Sequence, residues 1–148
     1  MESIPTLNQN VIKKTIAIFE ERLLSSEIAT HIVKIIQFGS TVTGEISPNS
    51  DIDLLVVSTN GKKVHEYVAE IAFHIQMDSG VGIEPIVEEL DNIISIHSYF
   101  TYNVLRNGKE VYTVDDEKIK REGRIHFALL AEEYLQSAKN ALKSEDFR

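Results

Sequence analysis

Two aspartates separated by one residue, at the start of an apolar run, restrict the fold of this chain more than any other feature. They belong to the segment S-D-I-D-L-L-V-V at residues 50–57. Because side chains alternate along a strand, Asp51 and Asp53 project from one face, while Ile52, Leu54 and Val56 project from the other. The segment therefore predicts a strand with one core face and one face that carries paired carboxylates.

A second apolar run, residues 32–38, precedes the aspartates and stops at Gly39. This run predicts a mostly buried strand, and Ser40 is expected to cap a short helical turn after it. Backbone N–H groups at such a turn favour an anion such as phosphate. Gly39 has no side chain, so its backbone can approach a phosphate oxygen closely. The two segments together predict a phosphate loop just ahead of two carboxylates.

The paired carboxylates of Asp51 and Asp53 also suit a divalent cation. Like charges at this spacing repel unless a cation relieves them. Mg²⁺ prefers oxygen ligands and usually shares them with substrate phosphates. A turn followed by a solvent-capped strand is the alternative interpretation, but it gives no reason for two adjacent carboxylates.

The whole motif, G-S-x-x-x-G followed by S-D-I-D-L-L-V, resembles the nucleotidyltransferase superfamily that includes DNA polymerase β. It is most similar to the small "minimal nucleotidyltransferase" members. The resemblance implies that Asp51 and Asp53 are catalytic and hold two Mg²⁺ ions, for which Mn²⁺ can substitute. It also implies that Gly39, Ser40 and Gly44 belong to the site for ATP or another nucleoside triphosphate.

Glu84 lies within a short β-rich run at residues 81–87. The family carries a third acidic residue on the corresponding strand, within a pattern that Ile83-Glu84-Pro85-Ile86 matches. The resemblance therefore implies that Glu84 is a third catalytic and metal-binding carboxylate. A glutamate solvated on an edge strand is the alternative. Pro85 cannot donate to a β-ladder, so this strand is expected at a sheet edge or at a bulge.

Apolar residues at helical spacing predict three helices around these strands. The first follows Thr6 or Asn8 as a cap. The second is marked by the apolar residues of 64–75 and ends at Ser79-Gly80, and the third covers residues 90–107 and stops at Gly108. A short strand is expected at residues 110–113. The predicted fold class is α/β (α+β), a nucleotidyltransferase fold whose small mixed β-sheet has helices mainly on one face.

The composition changes after residue 114, and the sequence predicts two parts. Residues 1–114 form the predicted nucleotidyltransferase domain, and residues 115–148 contain a charged connector and a long helix that is apolar over a wide arc. This helix resembles the first helix of the HEPN domain, an all-helical module often fused to minimal nucleotidyltransferases or encoded beside them. The resemblance implies a HEPN-domain partner, and the helix can alternatively pair two copies of the chain.

Composition excludes several other classes of protein. The formal net charge is −8, with 23 acidic and 15 basic residues, which argues against an extended nucleic-acid surface. No cysteine is present, so neither a disulfide framework nor a thiolate zinc site is expected. No signal peptide is visible and no apolar run reaches membrane-spanning length, so the predicted location is the cytoplasm, without a membrane.

The expected reaction is transfer of a nucleoside monophosphate, AMP from ATP, to a hydroxyl group. Small members of the family are similar to antitoxins that add AMP to a tyrosine of a HEPN partner, and other members modify hydroxyls of aminoglycosides. A domain that binds nucleotide or a partner without turnover, as an antitoxin scaffold, is the alternative from a different class. Dependence on Asp51 and Asp53 distinguishes the enzyme from the scaffold.

Overall fold

The computed structural model describes residues 7–96, 98–114 and 139–140. Residues up to Val114 belong to one compact unit. The helices of this unit are α1 (Gln9–Leu24), α2 (Ser40–Thr43), α3 (Gly61–Ser79), α4 (Leu90–Ile94) and α5 (Tyr99–Asn107). Its strands are β1 (Ile32–Phe38), β2 (Ile52–Ser58), β3 (Ile83–Glu89) and β4 (Lys109–Thr113), and a 3₁₀ turn at Ala29–His31 leads into β1.

The four strands form one mixed sheet in the order β3-β2-β1-β4. Strand β1 is antiparallel to both β2 and β4, whereas β3 is parallel to β2. This arrangement confirms the predicted mixed sheet. It also brings the end of β1 and the starts of β2 and β3 to the same end of the sheet.

Strand β3 lies at the sheet edge, as Pro85 predicts. The backbone N–H of Ile52 donates to the carbonyl of Gly82 at 2.9 Å. Since backbone groups alternate along a strand, the even-numbered residues of β3 face β2 and Pro85 faces outward. The proline therefore removes no ladder hydrogen bond. The strand begins and ends two residues later than the predicted run at residues 81–87.

One face of the sheet is covered by α1 and α3, and the main core lies there. Asn8 caps α1, since its Oδ1 accepts a hydrogen bond from the N–H of Val11 at 3.0 Å. Gly80, in the left-handed conformation, ends α3 as predicted. The buried side chains of this core come from both helices and both central strands, among them Ile12, Phe19, Leu23, Ile35, Ile52, Leu54, Val56, Val64, Val68 and Ile75.

The prediction of one helix over residues 90–107 is wrong. The structure divides this segment into α4 and α5, because Ser95 has extended backbone and Ser98 starts a new helix. The Ser98 hydroxyl accepts a hydrogen bond from the N–H of Thr101 at 3.1 Å, which caps α5. The expected apolar stripe is also interrupted, since Ile96 is 44% exposed. Gly108 still follows the last helical residue, as predicted.

The predicted HEPN-like segment at residues 115–148 falls outside the described residues, except for positions 139 and 140. The domain assignment and the pairing of two copies through this segment therefore remain predictions. In the part of the chain that the structure describes, no helix is both long and apolar enough to cross a bilayer.

Candidate functional site

The candidate site lies at the end of the sheet where β2 begins. Asp53 has Cα partners on both sides, Phe38 on antiparallel β1 and Glu84 on parallel β3. Directly opposed residues of neighbouring strands share a face, so Asp53 and Glu84 lie side by side. Ile52 and Leu54 are completely buried on the opposite face. The structure therefore confirms the predicted alternation of core and carboxylate at the start of β2, although Asp51 lies one residue before the strand and the later residues of both faces are buried.

Gly39 is fixed by its contact with the Asp53 carboxylate. A Cβ atom built on Gly39 would overlap Asp53 Oδ2, and the Gly39 φ angle is +77°. Both conditions disfavour a side chain at this position, because it would strain the backbone and displace the Asp53 carboxylate. The group that approaches Gly39 closely in the structure is the Asp53 carboxylate, and an approach to a phosphate oxygen stays a prediction.

Gly82 has the corresponding relation to Asp51, and sequence reasoning missed it. A Cβ atom on Gly82 would overlap Asp51 Oδ1. The exposed Asp51 carboxylate therefore leans toward the start of β3, while Asp53 leans toward the loop after β1. A glycine next to a strand is a signal for a close approach of this kind.

The pKa of Asp53 shows how crowded these charges are. This pKa is raised from 3.8 to about 6. Burial is the largest cause, followed by the charge of Glu84, a hydrogen bond with Glu84 and the charge of Asp51. All of these causes act in the same direction, because each of them disfavours the ionised carboxylate. Asp53 is therefore a carboxylate whose negative charge the protein leaves poorly compensated.

The loop between β1 and β2 contains α2. Gly39 occupies the N-cap position and Ser40 is the first helical residue, so the expectation that Ser40 caps the turn is wrong. Gly44 ends the helix with a φ of +88°, and its N–H donates to the Ser40 carbonyl at 3.0 Å. Among the described residues, no atom lies within 4 Å of a Cβ built on Gly44, so its left-handed backbone is the feature that favours glycine there.

A buried hydrogen bond holds this loop against the sheet. Gln37 Nε2 donates to Thr41 Oγ1 at 3.0 Å, and the two residues are only 5% and 2% exposed. The bond bridges the three residues Phe38, Gly39 and Ser40, so it links the position of α2 to the end of β1. Sequence reasoning missed this pair, although a glutamine within an apolar strand is a signal for a buried polar contact.

The carboxylates have the chemistry of a divalent-cation site. Asp53 and Glu84 are in contact, and a cation would reverse the repulsion that raises the Asp53 pKa. Within residues 7–96, 98–114 and 139–140, no three acidic or histidine side chains stand close enough to hold an ion as a group. The Asp51 carboxylate, which rests on Gly82, would have to turn toward Asp53. The three-carboxylate metal site remains a prediction.

Three proteins of known sequence or structure are similar to this chain. The chain is 38% identical over 91 residues to a candidate protein adenylyltransferase of Methanocaldococcus jannaschii, a match that covers 60% of this chain and 87% of that protein. A solved toxin–antitoxin structure with AMP-PNP is 17% identical, with a TM-score of 0.45 over 96% of this chain and 100% of that chain. A candidate minimal nucleotidyltransferase of solved structure is 24% identical, with a TM-score of 0.45 over 68% and 95% of the two chains.

A family model for the nucleotidyltransferase domain matches residues 12–111. The matched region begins in α1 and ends within β4, so it includes all of β1, β2 and β3 and residues 109–111 of β4. It also contains the loop after β1 and all three carboxylates of the candidate site. The chain therefore belongs to the family of nucleotidyltransferase domains.

Proposed function

We propose that this chain transfers AMP from ATP to a hydroxyl group of a protein. The observation that carries the proposal is the position of Asp53, which lies between the Gly39 loop and Glu84. Poorly compensated carboxylates beside a backbone loop match a reaction that needs cations and phosphates at one place. Family membership supports nucleotidyl transfer, and the name of the archaeal relative supports AMP and a protein acceptor.

Asp51, Asp53 and Glu84 would hold the divalent cations, with Mg²⁺ as the expected ion. When bound, such ions supply positive charge to the attacking and leaving oxygens of an in-line displacement. Their charge would also keep Asp53 ionised at neutral pH, where the fold alone raises its pKa to about 6. The cation requirement can therefore be tested separately from transfer.

The remaining groups would position the nucleotide and take up the proton. The backbone around Gly39 and Ser40 would bind the β- and γ-phosphates, which orients pyrophosphate as the leaving group. The acceptor oxygen forms a bond to the α-phosphorus. The bond between that phosphorus and the oxygen shared with the β-phosphate breaks, and pyrophosphate leaves with that oxygen. Glu84 would accept the proton that the acceptor hydroxyl loses.

A tyrosine of a HEPN-domain protein is the proposed acceptor. This choice follows from two resemblances of the sequence. The chain is similar to small antitoxin-type nucleotidyltransferases, and its own C-terminal helix resembles the first helix of the HEPN module. A hydroxyl of a small molecule is the second acceptor class, and the size of the labelled product separates the two.

The test is label transfer from α-phosphate-labelled ATP with Mg²⁺ into a lysate of the organism that encodes the chain. The wild-type chain is expected to label one protein, and Asp51→Asn/Asp53→Asn is expected to label none. The matched control is Asp78→Asn/Asp91→Asn, which changes the net charge equally away from the site. It is expected to label as the wild type does.

Labelling that persists in Asp51→Asn/Asp53→Asn would contradict the assignment of the site. No labelled product of any size, in a lysate that contains a protein bound by the chain, would favour the non-catalytic scaffold. A labelled small molecule without a labelled protein would retain the transferase and reject the protein acceptor.

A further inference from the structure

A cleft of about 430 Å³ lies between α2 and α5, outside the row of carboxylates. Phe38 and Gly39 form its end nearest β1, and Val42 and Thr43 form one side. The other side is the α5 segment with Phe100, Asn103, Val104, Asn107 and Gly108. The volume falls within the range of small-molecule sites, about 300–1,000 Å³, which are mostly apolar with a few polar groups.

The cleft begins beside the candidate site. Phe38 lines it and is also the Cα partner of Asp53. Gly39 lines it too, and Asp53 Oδ2 occupies the position that a Gly39 side chain would take. A ligand that entered the cleft would therefore have its inner end next to Asp53 and the proposed phosphate loop.

Two aromatic rings provide the apolar surface of the cleft. Phe38 and Phe100 meet edge to face, with ring centroids 5.4 Å apart and an interplanar angle of 82°. Phe100 remains 41% exposed although it is a large apolar residue. Planar bases gain affinity by stacking on aromatic side chains, so this exposed ring suits a heterocycle.

Two asparagine amides supply the polar groups of the cleft. Asn107 Nδ2 donates to Asn103 Oδ1 at 2.6 Å, one helical turn apart on α5. Whichever way this pair is oriented, the bond uses one donor and one acceptor, so a further N–H and a further oxygen lone pair can bond a ligand. Adenine presents its amino group beside a ring nitrogen on the edge that asparagine recognises.

We infer that this cleft binds the base of the donor nucleotide, with the Asn103–Asn107 pair hydrogen-bonded to the amino edge of adenine. The inference rests on the proposed function and adds the part of the site that recognises the base. It divides nucleotide binding into two parts: the loop at Gly39 holds phosphates, and the cleft holds the base against Phe100. Ligands that contain only one of these parts can test the division.

The test compares two ligands by calorimetric titration of the full chain in the presence of Mg²⁺. One is α,β-methylene ATP, which cannot transfer AMP, and the other is inorganic tripolyphosphate, which has no base. Asn103→Ala/Asn107→Ala is expected to bind the ATP analogue about tenfold more weakly. This loss of affinity is near the low end of the range for a bidentate amide contact to a base. Its affinity for tripolyphosphate is expected to equal that of the wild type.

Two further variants make the test specific. Asn10→Ala removes an exposed amide from α1 and is expected to change neither affinity. Val42→Trp fills the cleft but keeps both amides, and is expected to weaken binding of the ATP analogue alone. Unchanged affinity for the analogue in the asparagine variant, or an equal loss for both ligands, overturns the cleft assignment. A wild-type chain that binds neither ligand overturns the proposed function, and this assignment with it.

Discussion

Replacing Asp53 with asparagine is expected to stabilise the fold in the absence of divalent cations, although it should abolish transfer. The pKa of Asp53 is raised from 3.8 to about 6, mainly by burial and then by Glu84. Asparagine has nearly the same shape and carries no charge. The substitution therefore removes the unfavourable ionisation and leaves the packing around Gly39 in place.

The direction of this effect on stability follows from the pKa of Asp53 in the unfolded and folded states. Below the unfolded value of 3.8, Asp53 is protonated in both states and imposes no penalty. As the pH rises, the unfolded chain loses its proton first, so the folded state loses stability until the pH exceeds about 6. The full shift corresponds to about 3 kcal/mol of unfolding free energy, which partial solvent exposure reduces to about 1–2 kcal/mol. About half of this penalty is expected near pH 5.

The assay is urea denaturation with a chelator, near pH 8 and near pH 5. Asp53→Asn is expected to raise the free energy of unfolding most at the higher pH. Glu84→Gln should give a smaller gain, because the burial of Asp53 remains. Asp51→Asn should give the smallest, since the charge of Asp51 is the least of the causes. If Mg²⁺ binds these carboxylates, it should reduce the difference in unfolding free energy between the wild type and Asp53→Asn.

Equal stability of the wild type and Asp53→Asn near pH 8 would refute the reasoning. A gain in stability that is larger near pH 5 than near pH 8 would refute it as well, because the raised pKa requires the gain to grow with pH. The exposed control Asp78→Asn accounts for the general effect of removing one negative charge from an acidic chain.

Two further predictions concern the loop. Gly39→Ala is expected to destabilise the fold by about 1–3 kcal/mol, because it combines a left-handed backbone with overlap at Asp53. Gly44→Ala should cost about 1 kcal/mol, because no described atom lies near its Cβ. Equal urea midpoints for the two variants would contradict the overlap at Gly39. Gln37→Ala and Thr41→Val each leave a buried polar partner unsatisfied and should each cost about 1–3 kcal/mol, and a double-mutant cycle that shows simple additivity would disprove the coupling.

Spacing of two residues made the carboxylate face of β2 predictable. Asp51 and Asp53 flank Ile52, and the alternation of strand side chains does not depend on distant contacts. Strand β1 has the predicted bounds for a similar reason, since its apolar run stops at Gly39. Edge placement of β3 followed from the missing N–H of Pro85.

Other features depend on contacts that the sequence pattern does not contain. Helical periodicity continues through residues 95–98 of the sequence, whereas in the structure the extended backbone of Ser95 and the capping hydrogen bond of Ser98 mark the break between α4 and α5. Phe38 and Phe100 lie far apart in the sequence, so their ring contact and the cleft behind it come from the packing of α5. The contact between Gly82 and Asp51 also needs the pairing of β3 with β2.

The direction of β1 decides where chemistry can occur on this sheet. Leu55 and Val57 lie on the same face of β2 as Asp53, yet both are completely buried. The carboxylate face is therefore accessible only at the start of the strand. Since β1 is antiparallel and β3 is parallel to β2, the loop after β1 and the start of β3 meet at that same end. A shift of β2 by one residue would turn Asp53 into the core and separate it from both neighbours, so the register of this one strand determines the entire site.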